Sequence, residues 1–390
     1  MVSSDFRTKR PPKALLYSLA DSPHATIESN RNCNMICQVC YNLERSHVKT
    51  LDEIADEIGI ALGKRNLSVI TILGGEPTLH PQLPEIIALV KTHGLTCQLL
   101  TNGLAFLQDK GDRLLTDLIN AGIDKIVLHV DSGQGLTPDE CEKRRQALFS
   151  KLEAKKKCFS LALTIYNDDL EAIPEAIRKY SCFSFFDGVL AVLARNNEPD
   201  GEQNVQMLDV YQRINARMGI EPVAFIPSSQ DQGDVSWLKY MFYINSRNGS
   251  VYAISPLINR IFRKLYRSIT GRHFFVVNAK PRIPKLKCLT TCILECFIHP
   301  MSFPDLLRLL RRSSWLKNIR FHYIAVQEPP QFDHQGNLVK ICRHCPDATI
   351  RQGKLTPICL ADHISPLSGA AETIRQDWRQ IIYKHLGESV

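Results

Sequence analysis

The chain has 390 residues, of which 44% are hydrophobic and 23% are charged, as in ordinary globular proteins. No apolar run reaches the roughly 18 residues that a membrane-spanning helix needs, which argues against a transmembrane segment. The N-terminal residues 1–13 are polar and basic, which argues against a secretory signal. We therefore expect a cytoplasmic protein, built from about two or three structural units.

The first half of the chain alternates strand-like and helix-like segments. Strands are expected at 25–29, 69–73, 97–101, 125–130, 159–166 and 189–193, and helices at 51–63, 83–92, 112–121, 141–155 and 170–180. Strands that alternate with helices predict a parallel sheet with right-handed crossovers. The predicted fold class is α/β, a partial (β/α)6 TIM-like barrel with its site at the carboxyl ends of the strands.

After about residue 196 this alternation stops. A hairpin is expected over 241–255 with its turn at Asn248 and Gly249, and two basic amphipathic helices and a cysteine-rich tail follow. We predict four regions: an N-terminal extension (1–23), a core barrel (24–200), a mixed substrate-binding and basic amphipathic region (201–330), and a C-terminal cysteine-rich region (331–390).

Three cysteines, Cys33, Cys37 and Cys40, lie in the loop after the first strand. The chain has 13 cysteines, an odd number, and clusters of this kind in a reducing compartment indicate metal ligands. Three thiolates at this spacing can hold three irons of a 4Fe–4S cluster and leave the fourth iron open. The alternatives are a zinc knuckle completed by His47, or three buried thiols without a metal.

Further polar residues and a glycine pair stand at the ends of the following strands. Gly74, Gly75, Glu76 and Pro77 follow the second strand, and glycines there would let backbone carbonyls approach a ligand closely. A tight turn from strand to helix would also explain the pair. The other strand-end residues are Asn102, Asp131 and Thr164.

These segments resemble the radical SAM (S-adenosylmethionine) superfamily. The run from Asn32 to Tyr41 is similar to the cluster loop of that family, and Leu73 to Pro81 is similar to its Gly-Gly-Glu-Pro segment. Thr101-Asn102-Gly103 matches the end of the family's third strand. The resemblance covers about residues 24–196. One departure is Val39, where the family often has an aromatic residue; here the aromatic residue, Tyr41, comes later.

The resemblance implies the ligands and the chemistry of the site. It implies a 4Fe–4S cluster on the three loop cysteines and SAM bound by Gly74, Gly75, Glu76 and Pro77, with Asn102, Asp131 and Thr164 as further contacts. A low-potential donor such as flavodoxin or ferredoxin would supply one electron. SAM would then yield methionine and a 5′-deoxyadenosyl radical that abstracts hydrogen from the substrate. His80 is expected in a structural turn, and His129 as a satisfied core histidine.

A second set of cysteines lies near the C-terminus. Cys342, Cys345 and Cys359 occupy a loop-like segment, and an upstream row at helical spacing, Cys288, Cys292 and Cys296, lies along one helix face. We expect an auxiliary 4Fe–4S cluster on the tail set, with the upstream row as a source of a fourth ligand or as the site of a cluster of its own. A zinc or mononuclear iron site, or thiols without a metal, are the alternatives.

Positive charge is concentrated between residues 256 and 323, which contain 14 Lys and Arg but 2 Asp and Glu, against a net charge of +8 for the whole chain. Two amphipathic stretches in this region fit helices lying on an anionic membrane surface. The interpretation that we prefer is ordinary helices with their apolar faces on the core. A basic patch alone is weak evidence for nucleic-acid binding, which we do not expect.

The function expected from these observations is a radical SAM enzyme that abstracts hydrogen from a lipid or small metabolite. A radical SAM peptide maturase is an alternative, although the tail cysteines do not follow the common peptide-maturase spacing. A protein of another class, a non-catalytic iron–sulfur or zinc protein acting in electron transfer or as a scaffold, would not need the Gly-Gly-Glu-Pro segment.

Overall fold

The computed structural model describes residues 12–42, 45, 47–166, 169–194, 205–229, 231, 234–275, 285–311, 318–333 and 338–364. Its strands are β1 (Lys13–Ala14), β2 (His24–Asn30), β3 (Val69–Gly74), β4 (Thr96–Thr101), β5 (Lys125–His129), β6 (Cys158–Ile165), β7 (Phe186–Leu193), β8 (Ala224–Pro227), β9 (Val235–Asn245), β10 (Val251–Ala253), β11 (Ile319–Gln327), β12 (Gln331–Asp333), β13 (Leu338–Lys340), β14 (Ala348–Arg351) and β15 (Lys354–Pro357). Its helices are α1 (Leu51–Lys64), α2 (Leu83–Thr92), α3 (Gly111–Asn120), α4 (Pro138–Ala154), α5 (Ala172–Tyr180), α6 (Met207–Met218), α7 (Pro256–Thr270), α8 (Lys285–Ile298), α9 (Phe303–Leu310) and α10 (Ala361–Ile364).

The strands β2 to β7 pair in chain order, and every pair is parallel. The helices α1 to α5 connect them, so the predicted parallel α/β sheet is confirmed. Two of these helices begin with a reciprocal cap, Thr50 with Glu53 and Thr137 with Glu140, which satisfies backbone N–H groups in the first turn. The sheet is open among the described residues, because no pairing joins its two end strands β1 and β2, as in a partial TIM-like barrel.

The sheet continues past the sixth parallel strand. The strand β11 pairs in parallel with β7, and β9 then pairs antiparallel with β11 and with β8. We did not predict β11, because more than one hundred residues separate it from the strand that it joins. The hairpin of β9 and β10 confirms the predicted turn region, although β9 begins at Val235. The division near residue 200 stays a prediction, since strands from both sides of it share one sheet.

The two faces of the barrel strands carry different side chains. The outer face packs Ile, Leu, Val and Phe side chains under the helices in one continuous apolar cluster. On the inner face, Thr26, Thr71, Gln98 and Lys125 lie directly side by side across β2 to β5, and all four are buried. The Lys125 ammonium donates to the Asp187 carboxylate over 2.6 Å. The barrel interior is therefore polar, which suits it to polar ligands.

One apolar stripe of α7 contradicts the interpretation that we preferred for the amphipathic helices. Leu257, Ile261, Leu265 and Ile269 form a stripe at helical spacing with 42%, 45%, 58% and 75% of their surface exposed. The side chains that α7 buries are those of Pro256, Ile258 and Asn259. The preferred interpretation thus holds for Ile258 of α7, which packs in a core cluster, and is wrong for this exposed stripe. It is confirmed for α9, whose Leu306 and Leu309 are buried. None of the described helices is both long and apolar enough to cross a membrane.

The cysteine-rich tail packs against the first barrel strand. The hairpin of β14 and β15 contacts β2 and α1. The Arg65 guanidinium, which follows α1, donates to the carbonyl oxygens of His24, Cys345 and Pro346 over 2.7, 2.8 and 3.2 Å. One buried arginine therefore ties the tail to the start of β2.

Candidate functional site

A cavity of about 270 Å³ lies at the carboxyl ends of the parallel strands. It brings together most of the residues that the sequence singled out: Cys33, Cys37, Cys40, Gly74, Gly75, Glu76, Asn102, Asp131, Thr164 and Cys359. Pro77 is buried where it starts a 3-10 turn and does not line this cavity. The cavity lining also excludes Cys292, Cys296, Cys342 and Cys345.

The loop that carries the three cysteines is held by neighbouring strand ends. The Gln38 N–H donates to the Gly133 carbonyl over 2.8 Å, and the Asn102 side chain donates to the Asn34 side chain over 2.8 Å. The Arg45 guanidinium donates to the Met35 carbonyl over 2.8 Å. These contacts fix both ends of the loop, so that its half-buried thiols line one wall of the cavity.

Two of the three loop thiols have raised pKa values. Burial, followed by the neighbouring Cys40 thiol, raises the pKa of Cys37 to about 12. Burial also raises the pKa of Cys33. Without a metal these thiols stay protonated at neutral pH, and binding to iron releases their protons. The three half-buried thiols line the same cavity, and this placement fits a cluster with three protein ligands.

The zinc alternative receives no support from His47. Its imidazole lies 3.6 Å from the Glu53 carboxylate and does not line the cavity. Across the described part of the chain, no set of three Cys, His, Asp or Glu side chains is grouped to hold a single metal ion. A cluster spreads its thiolates over several irons, so it does not require such a tight group.

The glycine pair is explained by a close approach between two backbones. A Cβ on Gly75 would lie 2.1 Å from the Asn32 carbonyl oxygen, and a Cβ on Gly74 would lie 2.1 Å from that of Asn30. Both glycines therefore permit β3 to contact the segment that leads into the cysteine loop. The Gly75 N–H donates to the Asn30 carbonyl over 2.8 Å. We expected the pair to serve ligand approach or a tight turn; packing against residues 30–32 is a third reason.

Glu76 joins the ends of two strands. Its carboxylate accepts from the Thr101 hydroxyl over 2.5 Å, from the Asn102 N–H over 2.8 Å and from the Thr78 hydroxyl over 2.6 Å. The side chain is 1% exposed. Every one of these contacts is within the protein, so Glu76 orients the loops around the cavity.

Asp131 and His129 form an ion pair on the opposite wall. The Asp131 Oδ2 lies 2.7 Å from the His129 Nε2 and accepts from the Thr164 N–H over 2.8 Å. Burial opposes the charged form of both groups, but their mutual attraction outweighs it, so the pKa of His129 is raised and that of Asp131 is lowered. The expectation of a satisfied core histidine is confirmed for the hydrogen-bond partner, which is Asp131, and is wrong for the position, because His129 lines the cavity.

Unpartnered acceptors on this wall fit a ligand that carries hydroxyl groups. Among the described residues, the buried Asp131 Oδ1 and Gln134 Oε1 have no hydrogen-bond partner. Buried polar atoms without a partner are rare and mark places where a ligand or water binds. The wall therefore offers buried acceptors to a ligand that carries hydroxyl groups. Gln134 was not predicted, and its place on a short turn after β5 gave no periodic signal.

The aromatic residue of the cysteine loop contacts the glycine segment. The Tyr41 hydroxyl donates to the Gly74 carbonyl oxygen over 2.9 Å, and both Val39 and Tyr41 line the cavity. The shift of the aromatic residue from position 39 to 41 thus leaves an aromatic side chain in the cavity wall.

The tail cysteines lie beside the cavity. Cys345 hydrogen-bonds to Cys342, and this contact, followed by burial and by the Cys359 thiol, raises the pKa of Cys345. Cys342, Cys345 and Cys292 belong to one apolar cluster, against which Cys296 packs. Cys359 alone of this set lines the cavity. The Cys288 side chain lies outside the described residues.

Four buried charges connect the tail to the cysteine loop. The Arg31 guanidinium, two residues before Cys33, pairs with the carboxylates of Glu28 and Asp362. The Arg351 guanidinium pairs with the same two carboxylates over 2.6 and 3.2 Å. All four side chains are at most 4% exposed. This set, which we call the charge quartet, was not predicted, because its members are far apart in sequence.

Comparisons with known proteins agree with this geometry. Residues 27–179 match the model of the radical SAM superfamily. The chain is 34% identical to GTP 3′,8-cyclase of Chlorobaculum tepidum over 104 residues, 26% of this chain and 30% of that protein. It is 27% identical to PqqA peptide cyclase of Xanthomonas oryzae pv. oryzae over 167 residues, 39% of this chain and 42% of that protein.

Solved structures show a similar partial match. SuiB of Streptococcus suis superposes with a TM-score of 0.38 at 13% identity, covering 50% of this chain and 46% of that one. The chain thus spans less than half the length of each of these relatives.

Proposed function

We propose, on the premise that this chain is a radical SAM enzyme, that it abstracts a hydrogen atom from an anionic lipid or an anionic small metabolite in the cavity at the strand ends. When bound, the 4Fe–4S cluster and SAM supply the electron transfer and the 5′-deoxyadenosyl radical. The observation that carries the proposal is the meeting of three loop thiols, the glycine segment and an unpartnered carboxylate oxygen in one cavity.

The side chains of this chain would hold and orient the reactants. Cys33, Cys37 and Cys40 would bind three irons, and Asp131 Oδ1 would accept a hydrogen bond from a ribose hydroxyl. Glu76 would keep the ends of β3 and β4 in register around the ligand. Apolar side chains would exclude water from the radical: Leu73, Leu100, Leu163, Leu190, Val192 and Ile358.

The enzymatic reaction can be tested without knowing the substrate. The reconstituted protein, reduced under anaerobic conditions with dithionite and SAM, should form 5′-deoxyadenosine. The Cys33→Ala variant should form none above the background of the reagents. If wild type and variant behave alike, the proposed reaction is refuted.

We also propose an auxiliary 4Fe–4S cluster on Cys342, Cys345 and Cys359. The support is the contact between the first two thiols and the position of Cys359 in the cavity wall. A cluster there would border the substrate, where it could accept an electron or bind the substrate. Cys342→Ala should lose about four irons and four sulfides per chain relative to wild type. Equal iron in both proteins would contradict this cluster.

The proposed lipid substrate is supported by the exposed stripe on α7. Arg260, Lys264 and Arg267 are exposed beside its apolar side chains, so cations and apolar groups share one surface, as on helices that bind anionic membranes. Flotation with vesicles that contain phosphatidylserine should recover the protein at low salt and lose it at high salt. Absence of binding at low salt would contradict peripheral membrane association.

A second candidate substrate class is peptides, favoured by the similarity to PqqA peptide cyclase. Deuterium transfer separates the two classes. A perdeuterated lipid extract, a perdeuterated small-metabolite extract and a perdeuterated peptide digest can each be offered to the enzyme, and the 5′-deoxyadenosine analysed by mass spectrometry. The proposal expects deuterium from the lipid or metabolite fraction; deuterium from the peptide fraction alone would replace it by peptide modification.

A further inference from the structure

A second cavity, of about 70 Å³, lies inside the barrel next to the first one. Leu73, Leu100, Leu190 and Asp347 line both cavities. On β3 and β4 the second cavity reaches Thr71 and Gln98, each two residues before a shared leucine. Two residues of a strand correspond to about 7 Å, so this interior cavity lies one layer deeper in the barrel.

Lys239 projects into the interior cavity from β9. It lies directly beside Ala325 on β11, which in turn lies beside Leu190 on β7, and all three line the cavity. The residue is 5% exposed. Among the described residues its ammonium has no hydrogen bond or ion pair; it lies over the rings of Trp237 and Phe275, 5.3 and 4.7 Å from their centroids.

The other polar groups of this cavity that lack a partner in the described part of the chain are all able to donate. They are the Trp237 Nε1–H and the hydroxyls of Thr26 and Tyr240, which are buried. The one carboxylate in the lining, that of Asp347, lies 2.9 Å from the His24 Nδ1, and the opposite ring nitrogen of His24 bonds to Thr71 over 2.7 Å. The cavity therefore offers a lysine, an N–H and an O–H to a ligand.

Burial of Lys239 without a paired anion disfavours the charged form of its side chain. Burial, followed by the nearby Arg263 cation, lowers the pKa of Lys239 to about 7, and the Asp347 carboxylate offsets this only in part. Removal from water disfavours the charged ammonium unless an anion accompanies it. A bound anion would restore the charge on the lysine.

We propose that the interior cavity binds a carboxylate group of the substrate, with the Lys239 Nζ as its charged partner and the Trp237 Nε1–H and Thr26 hydroxyl as further donors. This inference rests on the proposed function, whose substrate class it narrows to compounds that end in a carboxylate. The small volume admits the carboxylate and a few carbon atoms. The remainder of the substrate extends past Leu73, Leu100 and Leu190 into the larger cavity.

Butyrate and butyramide are matched probes of this site, since they have the same size but differ in charge. Calorimetry on the reconstituted protein without reductant, at pH 6.5, should detect butyrate binding and at least tenfold weaker binding of butyramide. Lys239→Met should weaken butyrate at least tenfold. Lys64→Met, which removes an exposed lysine on α1, should leave the butyrate affinity unchanged.

The pH dependence of binding gives an independent readout. Butyrate affinity should fall as pH rises from 7 to 9, because the neutral amine must then take up a proton to bind the anion. In Lys239→Met this dependence should disappear. The other titratable or charged groups around the amine are Arg263, Asp347, His24, Tyr240 and Tyr323.

Two results would overturn the inference: equal affinities for butyrate and butyramide, or unchanged butyrate binding in Lys239→Met. If that variant does not fold, Lys239→Gln is measured in the same way, and Trp237→Phe removes one donor while keeping an aromatic ring. Failure of the proposed function is separate. A protein that binds butyrate through Lys239 yet makes no 5′-deoxyadenosine refutes the radical reaction and leaves the carboxylate site standing.

Discussion

The barrel half of the chain, residues 24–194, and the half that follows it contribute to the same site in different ways. The barrel half supplies the cysteine loop, the glycine segment and the Asp131 wall from strand ends that follow one another in sequence. The later half supplies Cys359, the Pro329 and Pro330 wall and half of the charge quartet. The barrel half therefore supplies most of the cavity lining, while the later half supplies the rest of the wall and buried charges that support it.

The largest loss of activity should come from a substitution that disturbs the contact between β3 and the cysteine loop. In Gly75→Ala the added Cβ would meet the carbonyl oxygens of Asn32 and Arg31 at 2.1 and 2.5 Å, so the loop must move. We expect loss of bound iron and at least a hundredfold loss of 5′-deoxyadenosine formation. Iron content and product formation are the measurements.

The matched control for this substitution is Gly59→Ala in α1, where a Cβ meets nothing within 4 Å. It should raise the free energy of unfolding by about 0.5–1 kcal/mol, because alanine favours a helix over glycine. Retention of full iron and activity in Gly75→Ala would show that the barrel half tolerates movement of its cysteine loop.

A substitution in the charge quartet measures how much the later half stabilises the barrel half. In Arg351→Met the carboxylates of Glu28 and Asp362 lose one of their two cationic partners while they stay buried. Breaking a buried ion pair in this way costs about 3–5 kcal/mol. Denaturant unfolding of the iron-free protein measures it, and Arg308→Met, which breaks an exposed pair with Asp305, should cost less than about 1 kcal/mol.

A substitution of Asp131 should have a smaller effect, limited to the pKa of His129 and to SAM affinity. Asp131→Asn removes the anion that raises the pKa of His129 most. Burial and the Arg145 cation then oppose the charged ring, with Glu76 as the remaining anion, so that pKa should fall. In wild type, His129 should stay protonated at pH values above its usual pKa and lose its proton only as the pH rises further. NMR titration of the ring distinguishes the two proteins, and SAM affinity should fall about tenfold in the variant.

The smallest effect on folding is expected on the α7 stripe. Leu265→Glu replaces a side chain that is 58% exposed, so the free energy of unfolding should change by less than about 0.5 kcal/mol. Vesicle flotation should nevertheless be lost. A large destabilisation would mean that the stripe packs against another part of the chain, and the comparison of the two halves would then need revision.

The local sequence determined the order of elements in the barrel half. The apolar periodicity, and the glycine and asparagine residues between segments, predicted the bounds of β2 to β7 and α1 to α5 to within a few residues of those observed. These signals depend on residues that are near neighbours in sequence. The triplet of cysteines and the Gly-Gly-Glu-Pro segment likewise pointed to residues that line one cavity, since their spacing is itself the signal.

Only the tertiary structure decided which distant residues and strands contact these elements. It placed Asp362 on Arg31, 331 residues away, and β11 beside β7. It placed His129 in the cavity wall and exposed an apolar stripe of α7, where the preferred interpretations were a core histidine and a core-packed helix face. It also left Lys239 unpaired inside the barrel among the described residues. Such contacts depend on which surfaces close on one another, and periodicity carries no information about a partner that lies hundreds of residues away.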